Sequence, residues 1–228
     1  MPPGDILIHG GDFTSYAKRT DADDFNQWLG TLPYRHKLVV LGNHEANADW
    51  VEDAMEVLSN ATLLCHRGIV LNHPPDHAGG VTAGVIDGLR VFGTDFFWPA
   101  EPGAWCPPYG SIPAGIDVLI AHGPCRGYVD GGTGCATLLE HVRRVRPTLV
   151  VCGHIHECRG IARGRGADLE GVLFVNAANA KGREGARVRE KGPHQPIVVE
   201  IMPRANGNAN STATGAQPQG EARVVSTD

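Results

Sequence analysis

Four short loops of this sequence carry side chains that bind metal ions, and each loop follows a run of apolar residues. Apart from Glu45, the loops supply one carboxylate, one carboxamide and four imidazoles but no thiolate. Oxygen and imidazole ligands of this kind suit divalent ions of Mn, Fe or Zn. The pattern therefore predicts a metal-dependent hydrolase. The loops are Gly11-Asp12, Gly42-Asn43-His44-Glu45, His122-Gly123-Pro124 and Gly153-His154-Ile155-His156.

The apolar runs before these loops predict how the loops come together. Short β-branched runs that alternate with helical patterns are typical of buried strands in an α/β sheet. In open sheets of this class the ends of the strands build the site, so we expect the loops to meet at one sheet edge. The runs are Ile6-Leu7-Ile8, Leu38-Val39-Val40-Leu41, Val118-Leu119-Ile120 and Leu149-Val150-Val151.

Other segments predict the helices and strands that complete the fold. A first helix is expected after Thr20-Asp21, with its inward side chains at Phe25, Trp28, Leu29 and Leu32. A second is expected over 49–58, with Val51, Ala54, Met55 and Leu58 inward. A third is expected over 135–145, with Leu138, Leu139, Val142 and Val145 inward. Further strands are expected at 62–65, 68–71, 85–94 (interrupted by a hairpin at Asp87-Gly88), 172–176 and 196–201. Residues 98–115 are rich in Pro and Gly and predict an irregular loop.

Length and composition indicate one domain with a tail. We expect a domain over residues 1–203, whereas residues 204–228 offer almost nothing to bury and predict disorder. The net charge of −5 and the pI near 6.1 give no strong signal for nucleic acid or an anionic membrane. The sequence has no apolar stretch of membrane-spanning length and no signal-peptide pattern, so we expect a cytoplasmic protein with reduced cysteines.

The series of GD, GNHE, a later strand-end His and GHIH resembles the calcineurin-like metallophosphoesterase family. Residues 8–14, 28–33 and 122–124 are similar to its cyclic-nucleotide-phosphodiesterase-like branch, and the similarity extends from residue 4 to about residue 201. The resemblance implies an α/β fold in which two mixed β-sheets pack as a sandwich flanked by helices. It also implies two divalent metal ions, about 3.5–4 Å apart and bridged by a hydroxide.

The resemblance implies a role for each loop residue. Asp12 would bridge both metals. Asn43, His122 and His154 would complete one metal site, and His156 would bind the other metal. His44 would face the substrate as the catalytic residue, either as a proton donor to the leaving oxygen or by stabilising charge. Glu45 would orient the loop from behind the ligands.

One motif of the family is absent from this sequence. The family carries Asp-x-His on its opening strand, which supplies two ligands to the metal bound by His156, and no such motif precedes Gly11 here. One site therefore keeps four ligands, and the other keeps only Asp12 and His156. The chain is either an N-terminally shortened version of an enzyme or a natural form with an impaired metal pair. We favour shortening, which would leave the fold without its first strand and with an exposed sheet edge.

Several of these residues also have a purely structural interpretation. A strand-end histidine is more often hydrogen-bonded than metal-bound, and Asn43 or Asp12 could serve a turn. Since His154 and His156 are separated by one residue, a regular strand would point both to one face. Trp98, Trp105 and Tyr109 could stack on a base, although fastening of a long loop is the simpler role. Arg126 is a candidate for contact with substrate phosphate.

The function favoured by these observations is metal-dependent hydrolysis of a phosphoric ester, with a phosphodiester such as a cyclic nucleotide implied by the resemblance. A small phosphoester is the expected partner. The alternative is a catalytically weak protein that binds metal and a nucleotide in a binding or regulatory role. A metallo-β-lactamase-type hydrolase is a third option, but its His-x-His-x-Asp-His cluster is absent.

Overall fold

The fold is an α/β sandwich, seen in a computed structural model that describes residues 1–72, 88–94, 109–180, 194–202 and 220–226. Its helices are α1 (Arg19–Thr31), α2 (Ala54–Val57) and α3 (Ala136–Val145). Its strands are β1 (Ile6–His9), β2 (His36–Val39), β3 (Thr62–Leu63), β4 (Arg67–Leu71), β5 (Leu89–Thr94), β6 (Val118–Ala121), β7 (Leu149–Cys152), β8 (Gly160–Arg163), β9 (Leu173–Asn176), β10 (Val198–Met202) and β11 (Glu221–Ser226).

The strands form three sheets. The largest has the order β4-β5-β6-β7-β9-β8, and it is mixed because its two outer pairs are antiparallel and its inner pairs are parallel. A second sheet has the order β1-β2-β3 and is parallel throughout its described strands, whereas the family resemblance predicts mixed pairing there. Strands β10 and β11 form an antiparallel pair of their own.

Side chains that alternate along a strand belong to two different hydrophobic cores. In β6, Val118 and Ile120 belong to a core shared with Leu38 and Val40 of the three-stranded side, whereas Leu119 belongs to a core with α3. Successive side chains of a strand point to opposite faces, so the two sheets pack face to face and α3 covers the outer face of the larger one. This arrangement confirms the predicted sandwich of sheets flanked by helices.

The helices fall in the predicted segments with corrections: α1 begins at Arg19, just before its predicted start, the second helix is shorter than predicted, and two side chains predicted inward are exposed. All four residues predicted inward on α3 are buried, and the helix ends before Pro147 with Arg146 in a left-handed conformation. On the opposite side, α1 and α2 pack on the three-stranded sheet through Leu29 and Val57. Trp28 and Met55, predicted inward, are 39% and 57% exposed. The segment 49–58 is not one helix but a 3-10 turn at Val51–Asp53 followed by the short α2.

The C-terminal region differs from the predicted disorder at one place. Residues Glu221–Ser226 form β11, which pairs with β10 and buries Ala222 against the core between the sheets. The alternation of Ala222 and Val224 with Glu221 and Arg223 is a strand pattern, which the low apolar content of the surrounding segment hides. The positions predicted as a hairpin turn at Asp87 and as loop aromatics at Trp98 and Trp105 lie outside the described residues.

None of the helices in the described part of the chain is long and apolar enough to cross a membrane. The five cysteines that the structure describes are all free thiols.

Candidate metal centre

The four loops meet where β1, β2, β6 and β7 end. Within each sheet, backbone bonds continue past the strands: Val40 N–H donates to the His9 carbonyl (3.2 Å), and Gly153 N–H donates to the His122 carbonyl (2.8 Å). Between the sheets, a Cβ on Gly10 would lie only 3.5 Å from the backbone of Gly153. The loop after β1 therefore lies directly against the loop after β7, as the strand-end pattern predicts.

His122 lies at the centre of the polar groups and is 1% exposed. Its Nε2 is 3.2 Å from Asp12 Oδ2, 3.1 Å from Asn43 Oδ1 and 3.1 Å from His154 Nδ1. On the other side of the ring, Nδ1 is bonded to the Gly10 carbonyl. Because a carbonyl only accepts, Nδ1 carries the hydrogen, and Nε2 of the neutral ring presents a lone pair.

The chemistry of this cluster fits a divalent cation. Asp12, His122 and His154 each offer one ligand atom, and these atoms lie within 4.8 Å of one another. The Asn43 side-chain oxygen joins them beside His122. The oxygens of Asp12 and Asn43 present lone pairs, and a cation placed among lone-pair donors of this kind satisfies all of them. Nitrogen and oxygen donors of this type are ligands of divalent metal ions.

Two glycines allow this close approach. Gly11 has φ of +92°, and a Cβ there would lie 2.6 Å from Gly42 N and 2.7 Å from His122 Nδ1. A Cβ on Gly42 would lie 2.8 Å from His122 Cε1. Any larger residue at either position would push the Asp12 loop away from His122, so the glycines set the spacing of the ligands.

The backbone is strained at two of the candidate ligands. Asp12 has φ of 57° and His154 has φ of 65°, backbone conformations that residues other than glycine rarely adopt. Such strain persists only where the surrounding structure fixes it, and it concentrates at functional sites. Here it turns both side chains toward His122.

The protonation states of Asp12 and His154 are those of metal ligands. Burial, the largest influence, raises the pKa of Asp12, but the hydrogen bond and charge of His122 in its protonated form and the bond from the His44 N–H together lower it below its usual value. Burial lowers the pKa of His154 to about 4, and His122 acts in the same direction. At neutral pH the site therefore presents a carboxylate and a neutral imidazole.

Glu45 links the Asp12 loop and the Asn43 loop through hydrogen bonds to its carboxylate. It is fully buried, and its two carboxylate oxygens accept four hydrogen bonds. One oxygen accepts from Asp12 N and Gly42 N at 2.9 Å each; the other accepts from Thr14 N at 2.9 Å and Thr14 Oγ1 at 2.7 Å. A carboxylate that binds N–H groups of both loops fixes Asp12 relative to Asn43, as expected for a residue behind the ligands.

His44 lies beside the cluster rather than within it. Its Nδ1 donates to the Thr14 carbonyl (2.7 Å), and its Nε2 is 3.9 Å from Asp12 Oδ2. Its own N–H donates to the other oxygen of Asp12 at 3.0 Å. The ring is partly exposed, so Nε2 is directed at the centre from the side that solvent reaches.

Comparison with known proteins agrees with this geometry. A family model described as calcineurin-like phosphoesterase matches residues 2–158. The chain belongs to the calcineurin-like phosphoesterase family. The family resemblance drawn from the motifs is thereby confirmed, and membership supports metal-dependent hydrolysis of phosphoric esters as the general activity.

Curated relatives are similar over most of this chain. UPF0046 protein K07C11.7 of Caenorhabditis elegans is 32% identical over 229 residues, which cover 88% of this chain and 69% of that protein. Metallophosphoesterase domain-containing protein 1 of Homo sapiens is 33% identical over 228 residues, which cover 88% of this chain and 66% of that protein. The chain thus spans about two thirds of the length of these relatives. The solved structure of TT1561 of Thermus thermophilus is similar with a TM-score of 0.48 and 15% identity, covering 76% of each chain.

The family resemblance implies that His156 binds a metal ion. Among the described residues, however, His156 is not part of the cluster of candidate ligands, which is formed by Asp12, His122 and His154. The chain leaves β7 at Cys152, turns at His154 and enters a 3-10 turn at His156–Cys158. The idea that His154 and His156 share one face of a regular strand is therefore wrong, because neither residue lies on the strand. His156 is near enough to His154 to help lower the pKa of that residue, and its role as ligand of a second metal stays a prediction.

Two further candidates from the sequence are Arg126 and Tyr109. Arg126 is exposed, and its Nε donates to the Gly134 carbonyl at 2.8 Å; its contact with substrate phosphate stays a prediction. Tyr109 is 3% exposed and packs in the core with α3. It therefore fastens the loop, the simpler of its two predicted roles, and is not a stacking surface for a base.

Asn176 is a residue that the sequence reasoning missed. It is fully buried at the end of β9, and its Nδ2 donates to the carbonyls of Ile155 (2.9 Å) and Val129 (3.1 Å). Its Oδ1 accepts from Ala178 N at 3.0 Å. Because Ile155 lies between His154 and His156, Asn176 fixes the histidine loop. The available signal was an Asn directly after the apolar run Leu173–Val175, the same pattern as in the ligand loops.

Proposed function

We propose that this chain hydrolyses phosphodiesters with a divalent metal ion held by Asp12, Asn43, His122 and His154. The convergence of donor atoms on His122 Nε2 at 3.1–3.2 Å is the observation that carries the proposal. When bound, a divalent ion would neutralise charge on the phosphate and lower the pKa of water toward neutrality.

The residues of the chain would position the ester and handle the proton. Asp12 is ionised and shared between the cluster and His44, so it orients both. His44 is held by the Thr14 carbonyl through Nδ1, so that in the imidazolium form Nε2 is the atom that would deliver its proton to a leaving oxygen and return the ring to the neutral state. The preference for a phosphodiester, with a cyclic nucleotide as one form, rests on the motif resemblance.

Hydrolysis of bis(p-nitrophenyl) phosphate in the presence of Mn²⁺ tests this proposal, with p-nitrophenyl phosphate as the monoester comparison. We expect faster turnover of the diester and a loss of about a hundredfold or more in His44→Ala, with metal binding retained. His141→Ala, which changes a histidine on the surface of α3, is the matched control and should leave turnover unchanged. Equal loss in both variants would contradict the role of His44.

A second candidate is a weakly catalytic protein that binds metal and a nucleotide. The position of His156 outside the described cluster favours it, because a phosphodiester is hydrolysed best when both the attacking and the leaving oxygen contact a metal. A folded protein that binds one Mn²⁺ per chain but never hydrolyses the diester would favour this function over hydrolysis.

A further inference from the structure

Tyr16 presents an exposed aromatic ring beside the metal centre. The ring is 70% exposed and stacks on His44, with ring centroids 4.7 Å apart and planes inclined by 30°. His44 Nε2 in turn is 3.9 Å from Asp12 Oδ2. One imidazole therefore separates the tyrosine from the cluster, on the side that solvent reaches.

The backbone that presents this ring is strained. Tyr16 and Ala17 have φ of 57° and 65°, and two consecutive left-handed residues other than glycine are unusual. Hydrophobic burial does not explain the strain at Tyr16, since most of its ring remains in solvent. Strain kept without burial points to a function for the residue that it presents.

Hydrogen bonds fix the turn on both sides of Tyr16. Ser15 N–H donates to Asp21 Oδ2 at 2.7 Å, and Ala17 N–H donates to Thr14 Oγ1 at 3.2 Å. The indole of Trp50 donates to the Ala17 carbonyl at 2.8 Å. The aromatic ring is thus held in place before any ligand arrives, which reduces the entropy lost when a ligand stacks on it.

We propose that Tyr16 is a specificity-determining residue that stacks on a flat ring in the organic part of the substrate. The inference rests on the proposed function, in which the phosphate binds at the Asp12–His122–His154 cluster. A nucleobase or an aryl group attached to that phosphate would reach the exposed tyrosine, whereas a compact alkyl group would not. The substrate class that follows is an aromatic or nucleoside phosphoester.

Two ligands that differ only in the base test this inference. Adenosine 5′-monophosphate and ribose 5-phosphate carry the same phosphate and sugar, so calorimetric titration of the full chain in Mn²⁺ isolates the contribution of the ring. We expect adenosine 5′-monophosphate to bind about tenfold more tightly than ribose 5-phosphate. In Tyr16→Ala this ratio should fall to about one, and in Tyr16→Phe, which keeps the ring, it should stay near its original value.

Two results would overturn the inference. Equal affinity of the two ligands for the unmodified chain would show that no ring is recognised. Equal weakening of both ligands in Tyr16→Ala would show that the tyrosine only supports His44. Since the readout is binding, a chain that fails to hydrolyse bis(p-nitrophenyl) phosphate would contradict the proposed hydrolysis and still give a clear answer about Tyr16.

Discussion

His122 and His156 follow neighbouring parallel strands of one sheet, yet the structure holds them very differently. His122 is buried, with one nitrogen on the Gly10 carbonyl and the other facing Asp12, Asn43 and His154. His156 is half-buried at the start of a 3-10 turn and is not part of the ligand cluster found among the described residues. A histidine ligand whose second ring nitrogen is already hydrogen-bonded is oriented before the metal binds. The part of the site around His122, called the tight side below, should therefore bind metal tightly, and the part around His156 should bind it weakly.

The largest expected effect separates these two histidines. His122→Ala removes a central ligand, so its Mn²⁺ affinity should fall by more than the roughly 10–100-fold that loss of an outer partner costs. His156→Ala should change the affinity of the tightly bound ion by less than about threefold. Titration calorimetry on both variants makes the comparison, and similar losses in the two would break it.

The next effect concerns Glu45, whose carboxylate binds backbone N–H groups of the Asp12 and Asn43 loops. In Glu45→Gln an amide NH₂ replaces one acceptor and faces two donors, so Mn²⁺ affinity should fall by roughly 10–100-fold. The free energy of unfolding should fall by about 3 kcal/mol, because buried N–H groups lose their acceptor. Glu52→Gln, an exposed change in a nearby 3-10 turn, serves as the control in both the titration and urea denaturation.

Acid should destabilise the folded chain through His9, whose Nδ1 accepts from Gly11 N at 3.3 Å. Burial lowers the pKa of His9 from 6.5 to about 4, with His122 acting in the same direction. Between these values the unfolded chain binds a proton that the folded chain does not, so the free energy of unfolding falls as the pH falls.

From pH 7 to pH 5 the His9 contribution to this loss is about 2 kcal/mol. Urea denaturation of metal-free protein at both pH values measures it, and His9→Phe should show a smaller loss by that amount. An identical pH dependence in the two proteins would exclude His9 as the cause.

The smallest expected effect concerns Asn176, which fixes the loop that contains His154 and His156. Asn176→Asp places a carboxylate oxygen against the carbonyls of Ile155 and Val129. We expect a loss of about 1–2 kcal/mol in the free energy of unfolding and a fall of roughly tenfold in Mn²⁺ affinity. The exposed Asn179→Asp is the matched control. Unchanged metal affinity in Asn176→Asp would show that the loop is fixed by other contacts.

The arrangement of the tight side was predictable from the sequence because it depends on strand order. Apolar runs before Asp12, Asn43, His122 and His154 place these residues at the ends of parallel strands, and parallel strands end at a common edge. The family resemblance implied the orienting role of Glu45, although its four acceptor contacts became visible only in the folded chain.

The remaining features depend on local backbone geometry, which periodicity does not reveal. The left-handed turn at His154 removes His156 from the expected strand, and the turn at Tyr16 presents a ring that no spacing rule selects. Trp28 and Met55 fit a helical stripe but lie at its edge in solvent. Asn176 acts through contacts more than 20 residues apart in sequence, so only the tertiary fold shows its role.

Metal stoichiometry at equilibrium tests the central claim most directly. The full chain, freed of metal and titrated with Mn²⁺ under calorimetric and elemental analysis, should bind one ion tightly per chain, and His122→Ala should abolish that binding. Two tightly bound ions per chain, or one ion that survives His122→Ala, would contradict the account.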